Sequence, residues 1–245
     1  MSSAVWHELE CGRYTRDLPV WRNLARRYVA KHQSVLDVGA GSGRVTLDLL
    51  RCGYSVVALD CDHELLDVLR SRLGEHTSPA ETVCADARDF SLAQRDFPLV
   101  IVPMQTVQLL DGQGRVAFLN QARAHMSAGS VLAIAIAPTE SFNEFECHDG
   151  EPQPLPDLTE ISGCCYISQP TAVKRDGTRY LLERRREIIT STGQRTVSEN
   201  RVALEVVSAA DLNSAGQQLG LQPLEVIDIP ATDEHIGSQV VVLGA

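Results

Sequence analysis

Between residues 34 and 138 the apolar positions follow two alternating rhythms. Short apolar runs recur at Val35–Val38, Ser55–Leu59, Thr82–Ala85, Leu99–Val102 and Val131–Ala137. The last is almost purely apolar, as a strand covered on both faces must be. Between the runs the spacing turns helical: Val45, Leu47, Leu49 and Leu50, then Leu65, Leu66, Val68, Leu69 and Leu73, then Gly114–Met126. Strands alternating with helices at this spacing predict a parallel, doubly wound α/β sheet.

The rhythm differs on either side of that region. Residues 1–33 read as two helical pieces, one over Trp6–Tyr14 and one entered at Asp17-Leu18-Pro19. Proline suits a first helical turn behind an aspartate cap. Arg26 and Arg27 read as the wet face of that second helix. Pro138–Leu158 reads as loop. Ile161–Val173, Thr178–Thr190 and Thr196–Val207 read as three extended segments with turns at Arg175-Asp176-Gly177 and Ser191-Thr192-Gly193, an antiparallel meander. A helix over Ser208–Leu219 follows, then strands at Gln222–Ile229 and Gln239–Leu243. Their link, Pro230–Ser238, is too short for a crossover helix, so they pair antiparallel. Three parts follow: a helical lid (1–33), an α/β domain (34–138 and 208–245), and an antiparallel β insertion (139–207) serving as substrate lid or homodimer contact. The fold class is α/β, a doubly wound, mostly parallel seven-stranded sheet with that insertion.

Composition narrows the partners. A formal net charge of −10 repels nucleic acid on average. The N-terminus lacks a basic start followed by an apolar core, and no apolar run approaches the ~20 residues of a membrane span. The seven cysteines are scattered without a CxxC pair, which predicts free thiols in a reducing, cytoplasmic setting. Cys147-His148-Asp149 and Cys164-Cys165 lack metal-ligand spacing, so no metal is expected.

The chemistry concentrates at predicted strand ends, where open α/β sheets bind ligands. Asp37 precedes Gly39-Ala40-Gly41-Ser42-Gly43 at the first. Asp60, 17 residues past Gly43, closes the second, where a carboxylate takes both hydroxyls of a ribose. Asp86 and Ala87 follow the third, at an adenine edge. Pro103-Met104-Gln105 follow the fourth, where a reacting group would sit. Arg44 stands where the dinucleotide fingerprint GxGxxG needs its third glycine, and no Walker lysine follows, so both dinucleotide and P-loop readings fail.

Together these residues resemble class I S-adenosylmethionine-dependent methyltransferases of the small-molecule type. The resemblance covers Val35–Pro138 motif by motif. It implies that Asp37, Gly39, Ala40, Gly41 and Gly43 hold the methionine end of S-adenosylmethionine, and that Asp60 takes the ribose with Cys61 beside it. It further implies that Asp86 and Ala87 contact adenine, and that Met104 and Gln105 border the sulfonium. Tyr14-x-x-Asp17-Leu18-Pro19 resembles members whose N-terminal helices cover the cofactor. The expected activity is methyl transfer to a nitrogen or oxygen of a small molecule, plausibly in secondary metabolism. The absence of an [Asp/Asn]-Pro-Pro-aromatic sequence after the fourth strand speaks against nucleic-acid and glutamine targets.

A base matters only if the acceptor must lose a proton. Tyr14 and His148 rank first for that role. His7 ranks lower, and His125 reads as structural because its end of the crossover helix points to the opposite sheet edge. Arg184-Arg185-Arg186 alternates faces and reads as a solvated edge. Two rivals stand: a cofactor-binding cyclase or decarboxylase on the same fold, and a non-catalytic binding protein.

Overall fold

The computed structural model of the chain describes residues 3–74, 78–139, 142, 155–232 and 235–245. A seven-stranded sheet contains β1 (Ser34–Val38), β2 (Ser55–Asp60), β3 (Ala80–Cys84), β4 (Leu99–Val102), β5 (Val131–Ile136), β10 (Gln222–Ile229) and β11 (Ser238–Gly244), in the order β10-β11-β5-β4-β1-β2-β3. The strands β1 to β5 run parallel, and β11 lies antiparallel between β5 and β10. This is the Rossmann-like fold expected from the alternation. The order reverses between β1 and β4, so a crevice opens beyond their C-terminal ends.

Successive side chains of each strand serve opposite cores. Leu36, Val38, Val100, Val102, Leu132 and Ile134 pack with Phe118 and Leu119 of α5 (Gly112–Ala124) and Leu212 of α6 (Ala209–Gln218). Val35, Val56, Ala58, Leu99, Ile101 and Ala133 pack with Trp21 and Leu24 of α2 (Leu18–Tyr28), Leu49 of α3 (Arg44–Arg51) and Leu66 and Leu69 of α4 (His63–Leu73). Each fully buried aliphatic side chain contributes about 1.5–3 kcal/mol, so helices on both faces are obligatory. Asp62, Asp111 and Ser208 cap α4, α5 and α6 through their side chains.

Asp17 does not cap α2 as expected. Its carboxylate faces inward, receiving Arg44 Nη1 and Nη2 at 2.5 and 2.8 Å and Trp21 Nε1 at 2.8 Å. The ion pair is almost wholly buried. A buried guanidinium outcompetes helix-end amides for that carboxylate, because its own desolvation is otherwise uncompensated. Arg27, expected in solvent, pairs with Glu225 of β10 at 2.5 Å on an exposed surface.

The insertion holds four strands rather than three: β6 (Asp157–Ile161), β7 (Cys164–Asp176), β8 (Arg179–Ile189) and β9 (Arg195–Glu205). The extra strand is β6, read from sequence as loop up to Leu158. A tight turn at Ser162 and Gly163, both at positive φ, folds it onto β7. Such turns match the right-handed twist of paired strands, but Ser-Gly is a weaker signal than Asn-Gly. The sheet is seated at two ends. Tyr180 and Leu204 pack on Ala137 and Phe142, and Tyr166 and Ile188 pack on Trp6 and Leu9 of α1 (Ser3–Cys11). Gln108, fully buried in a short 3-10 turn (Thr106–Leu109), locks the first seat. Its amide donates to the carbonyls of Ala137 and Glu205, and its oxygen accepts from Ala137 N.

Removing one partner of a buried ion pair costs about 3–5 kcal/mol. Asp17→Ala is therefore expected to lower the unfolding free energy by that order in urea titration. The double variant Asp17→Ala/Arg44→Met is expected to recover part of the loss, since no lone charge stays buried.

Candidate functional site

The glycine turn after β1 is the floor of the crevice. Gly39, Gly41 and Gly43 all have positive φ, at 75°, 56° and 95°. Each also lacks room for a side chain. A Cβ on Gly39 would stand 2.4 Å from Thr106 Cγ2, one on Gly41 2.6 Å from His7 Cε1, and one on Gly43 2.3 Å from Leu69 Cδ1. Gly39 N and Ala40 N donate to Leu59 O, tying the turn to β2. Asp60, at the end of β2, grips it from the side. One carboxylate oxygen accepts from Gly41 N at 2.7 Å, the other from Asp62 N at 2.9 Å. Each oxygen retains a further lone pair for a ligand.

Asp37 lies beneath the turn and is fully buried. Thr46 Oγ1 donates to Oδ2 at 2.6 Å, while Oδ1 has no partner. Burial pushes its carboxyl up to about 7, against the smaller opposing pull of Thr46 and Arg44. An orphaned buried acceptor of this kind costs about 1–3 kcal/mol, and a donor from a ligand would relieve it.

The other expected site residues follow the C-terminal ends of β2, β3 and β4. Asp86 is partly exposed, and its carboxylate is engaged by Arg88 through Nε at 2.9 Å and Nη2 at 2.5 Å. That contact and the Arg88 amide hold it down to about 2. Asp86 is thus an anion at any neutral pH, but a ligand amino group must share it with Arg88. Ala87 packs against the core edge. The Cys61 thiol is exposed, and the desolvation it does experience raises its pKa. Met104 sits at φ 54°, a left-handed conformation rare for this residue type. It turns the chain sharply after β4, with Gln105 half-buried behind it. Non-glycine residues in that region store about 1–3 kcal/mol of strain, and such strain clusters at ligand clamps.

Helix α1 roofs the crevice. His7 lies over Gly41 with Nδ1 3.2 Å from Ser42 Oγ, and burial keeps its imidazole below the usual range. Glu8 accepts from Ser42 Oγ and from Arg72 at 2.9 Å. On its other side α1 grips the insertion. Glu10 receives Arg186 at 2.8 and 2.7 Å and Ser168 at 2.6 Å, and Trp6 meets the Tyr166 ring edge at 5.5 Å. Arg184 and Arg186 therefore face inward rather than lining a solvated edge, and Arg185 faces out to Glu187.

Tyr14 does not sit as a free base. Its ring lies between Arg44, 5.2 Å from the centroid, and His235, edge-on at 4.9 Å. Its hydroxyl bonds Ser238, and burial raises its pKa above an already high value. A phenol so placed is a donor and packing group at neutral pH, which removes the reason for ranking it as a base. His148 lies outside the described residues. His125 is fully buried and structural: Nε2 accepts from Leu92 N at 3.1 Å, and Nδ1 donates to Gln121 O at 2.8 Å.

Three residues of this constellation escaped the sequence. His235 reaches the crevice because β11 runs antiparallel to β5, which places the N-terminal end of β11 at the ligand edge. Gln108 carried no signal. Arg44 carried one: a cation in the first turn of a helix opposes the dipole, which should have demanded an acidic partner. Among the described residues no three His, Cys, Asp or Glu side chains stand close enough to hold a metal, and no helix is long and apolar enough to cross a membrane.

Comparison with known proteins places this geometry. Residues 35–129 match the family model described as a methyltransferase domain. The chain is 27% identical over 130 residues to a carboxy-S-adenosyl-L-methionine synthase of Vibrio atlanticus, covering 49% of this chain and 52% of that protein. It is 30% identical over 109 residues to a magnesium-protoporphyrin O-methyltransferase of Rhodobacter capsulatus, covering 44% and 46%. The chain thus spans about half the length of these curated relatives. Two solved structures share its fold nearly end to end. An amino pentose methyltransferase of calicheamicin biosynthesis from Micromonospora echinaspora, bound to S-adenosylmethionine, has a TM-score of 0.72 at 19% identity, covering 98% and 97%. A sugar N-methyltransferase from Streptoalloteichus has a TM-score of 0.71 at 18% identity, covering 98% and 92%.

Asp37 generates a pH prediction. Its folded pKa of about 7 exceeds the ordinary unfolded value of about 3.9. Between these values the folded state holds the extra proton, so stability falls as pH rises and the loss is complete above about 7. Asp37→Asn is expected to flatten this slope in thermal melts from pH 5 to 9 and to be more stable than the parent at pH 8.

Proposed function

We propose that this chain, whose residues 35–129 match a methyltransferase-domain family model, is a class I S-adenosylmethionine-dependent methyltransferase that transfers a methyl group to a nitrogen or oxygen of a small molecule. The observation that carries the reading is the glycine turn gripped by Asp60 above the half-satisfied Asp37 at the sheet's reversal point. These residues fit the cofactor. Asp37 Oδ1 lacks a donor, which an α-ammonium supplies, and the open backbone of Gly39, Ala40, Gly41 and Gly43 admits a ligand directly. Asp60 has lone pairs left for ribose hydroxyls. Asp86 and Ala87 stand at the adenine end with Cys61 alongside, and Met104 and Gln105 at the reacting end.

Bound S-adenosylmethionine supplies an electrophilic methyl on a sulfonium. The protein's part is then mainly alignment and exclusion of water. Helix α1 closes the roof, and the insertion sheet covers the acceptor side. Met104, fixed by its strained turn, borders the line of attack. The His235 imidazole packs edge-on against Tyr14, and it replaces Tyr14 as the residue proposed to take a proton from the acceptor. The sugar N-methyltransferase likeness fits an amine acceptor; the O-methyltransferase relative fits a hydroxyl. No nucleic acid is expected as target, and the protein is proposed to work in the cytoplasm, with a homodimer through the insertion as a further expectation.

One observation favours a second reading. The first curated relative is named as a synthase of carboxy-S-adenosyl-L-methionine, so its product is a modified cofactor. The two readings leave different products. Turnover of S-adenosylmethionine with a panel of amines and alcohols is expected to yield S-adenosylhomocysteine, read by mass spectrometry. A heavier adenosyl product with no S-adenosylhomocysteine, formed only when a carboxylic acid able to give up its carboxyl group is added, would support the second reading.

Calorimetry with S-adenosylhomocysteine tests the site itself. Asp60→Ala is expected to weaken binding at least about tenfold, since a charged hydrogen bond is worth about 1.5–3 kcal/mol. Unchanged affinity would remove Asp60 from the cofactor site. His235→Ala is expected to lower kcat about 100-fold while leaving that affinity within about twofold.

A further inference from the structure

The inner face of the insertion sheet is read from its register. Tyr180, Leu182, Arg184, Arg186 and Ile188 alternate onto one side of β8, and Leu204, Val202 and Asn200 onto the same side of β9. The ends of this face are apolar and seated, one on Ala137 and Phe142, the other on α1. The middle is polar and lies between the two seats, one just past the C-terminal end of β5 and the other on α1, which also packs on the glycine turn. There Arg184 and Asn200 are direct cross-strand partners.

Both are unusual in what they leave unmade. Asn200 Oδ1 is shielded from solvent and has no hydrogen-bond partner. Arg184 spends only Nη1, on Ser168 Oγ at 3.2 Å and Asp157 Oδ2 at 3.3 Å. Its Nε and Nη2 bond nothing among the described residues. The neighbouring Glu10, by contrast, is saturated by Arg186 and Ser168. A buried acceptor left without a donor costs about 1–3 kcal/mol, and a structural role would not need it. Isosteric leucine would serve the sheet better.

We infer that Arg184 and Asn200 form an acceptor subsite that recognises a hydroxyl group, so that the methyl acceptor is a hydroxylated molecule anchored away from the reacting atom. The chemistry selects among groups. Oδ1 requires a donor, which excludes a carboxylate or phosphate oxygen there. Arg184 stands directly opposite, with cross-strand Cβ atoms about 4.5–5.5 Å apart, and its remaining N–H groups need an acceptor, which an ammonium lacks. A hydroxyl donates one hydrogen bond and accepts two, so it satisfies Oδ1 and the free guanidinium edge together. This inference rests on the methyl-transfer reading for its function, but the subsite can be measured independently.

Methyl α-D-glucopyranoside is the probe, observed by saturation-transfer NMR with and without S-adenosylhomocysteine; propylammonium and propionate are the charged comparisons. The parent protein is expected to bind the glucoside and to prefer it to both ions. Asn200→Leu and Arg184→Met are each expected to weaken glucoside binding about fivefold or more, with S-adenosylhomocysteine affinity unchanged. Asn200→Leu is also expected to raise Tm by about 2 °C, because it deletes an unsatisfied buried acceptor. No glucoside binding to the parent, preference for either ion, or equal binding by the variants would overturn the subsite. A lower Tm for Asn200→Leu with glucoside binding intact would make Asn200 structural. Loss of S-adenosylhomocysteine binding by the parent would instead sink the methyltransferase reading, and the glucoside result would still decide the subsite.

Discussion

The buried pair between Arg44 and Asp17 sets the geometry of everything at the ligand edge. Arg44 occupies the first turn of the helix that leaves the glycine turn, where the helix dipole disfavours a cation. Asp17 neutralises it from the start of α2, and Trp21 and the Tyr14 carbonyl complete the network. One side chain thereby joins the floor of the crevice to the chain segment that enters its roof. Tyr14 lies on the same guanidinium and carries the link to His235 and Ser238. A neutral pair of similar volume would pack there at less desolvation cost. What the ions add is a fixed angle between α2 and α3, through a bidentate geometry that apolar contacts lack.

Helix α1 extends that control to the insertion. Its successive side chains serve different partners: His7 and Glu8 the glycine turn and α4, Trp6 and Glu10 the insertion sheet. The roof is therefore polar toward the floor and mixed toward the sheet. Polar contacts of this kind are individually weak in net free energy, which suits an element that ligands have to pass. Gln108 performs the opposite task at the far seat, closing three backbone hydrogen bonds with no exposed atom. The insertion is thus fixed firmly to the main sheet at one end and through α1 at the other.

Two buried side-chain oxygens among the described residues have no hydrogen-bond partner, Asp37 Oδ1 beneath the glycine turn and Asn200 Oδ1 on the inner face of the insertion. Folding tolerates such groups where binding relieves them, and the strained Met104 turn is consistent with the same exchange of stability for preorganisation.

The sequence by itself determined the parallel sheet, its helices, the glycine turn and the acidic residues at three strand ends. Those features are local: strand and helix periods, turn chemistry and caps act over a few residues, so spacing alone displays them. Asp37, Asp60 and Asp86 were legible because parallel strands of one sheet bring their C-terminal ends to one edge by topology. Only the tertiary structure decided what those residues touch. Asp17 was read as a cap because its only local option was the helix end; a guanidinium 27 residues away claimed it. Asp86 was read as an adenine contact, and the structure shows its carboxylate already engaged by Arg88. β6 was hidden because its turn is a weak local signal and its partner strand supplies the pairing. His235, Gln108 and Asn200 acquired meaning only from partners far along the chain. Side-chain hydrogen bonds between distant segments leave no period in a sequence, since their energy depends on burial that only the folded molecule creates.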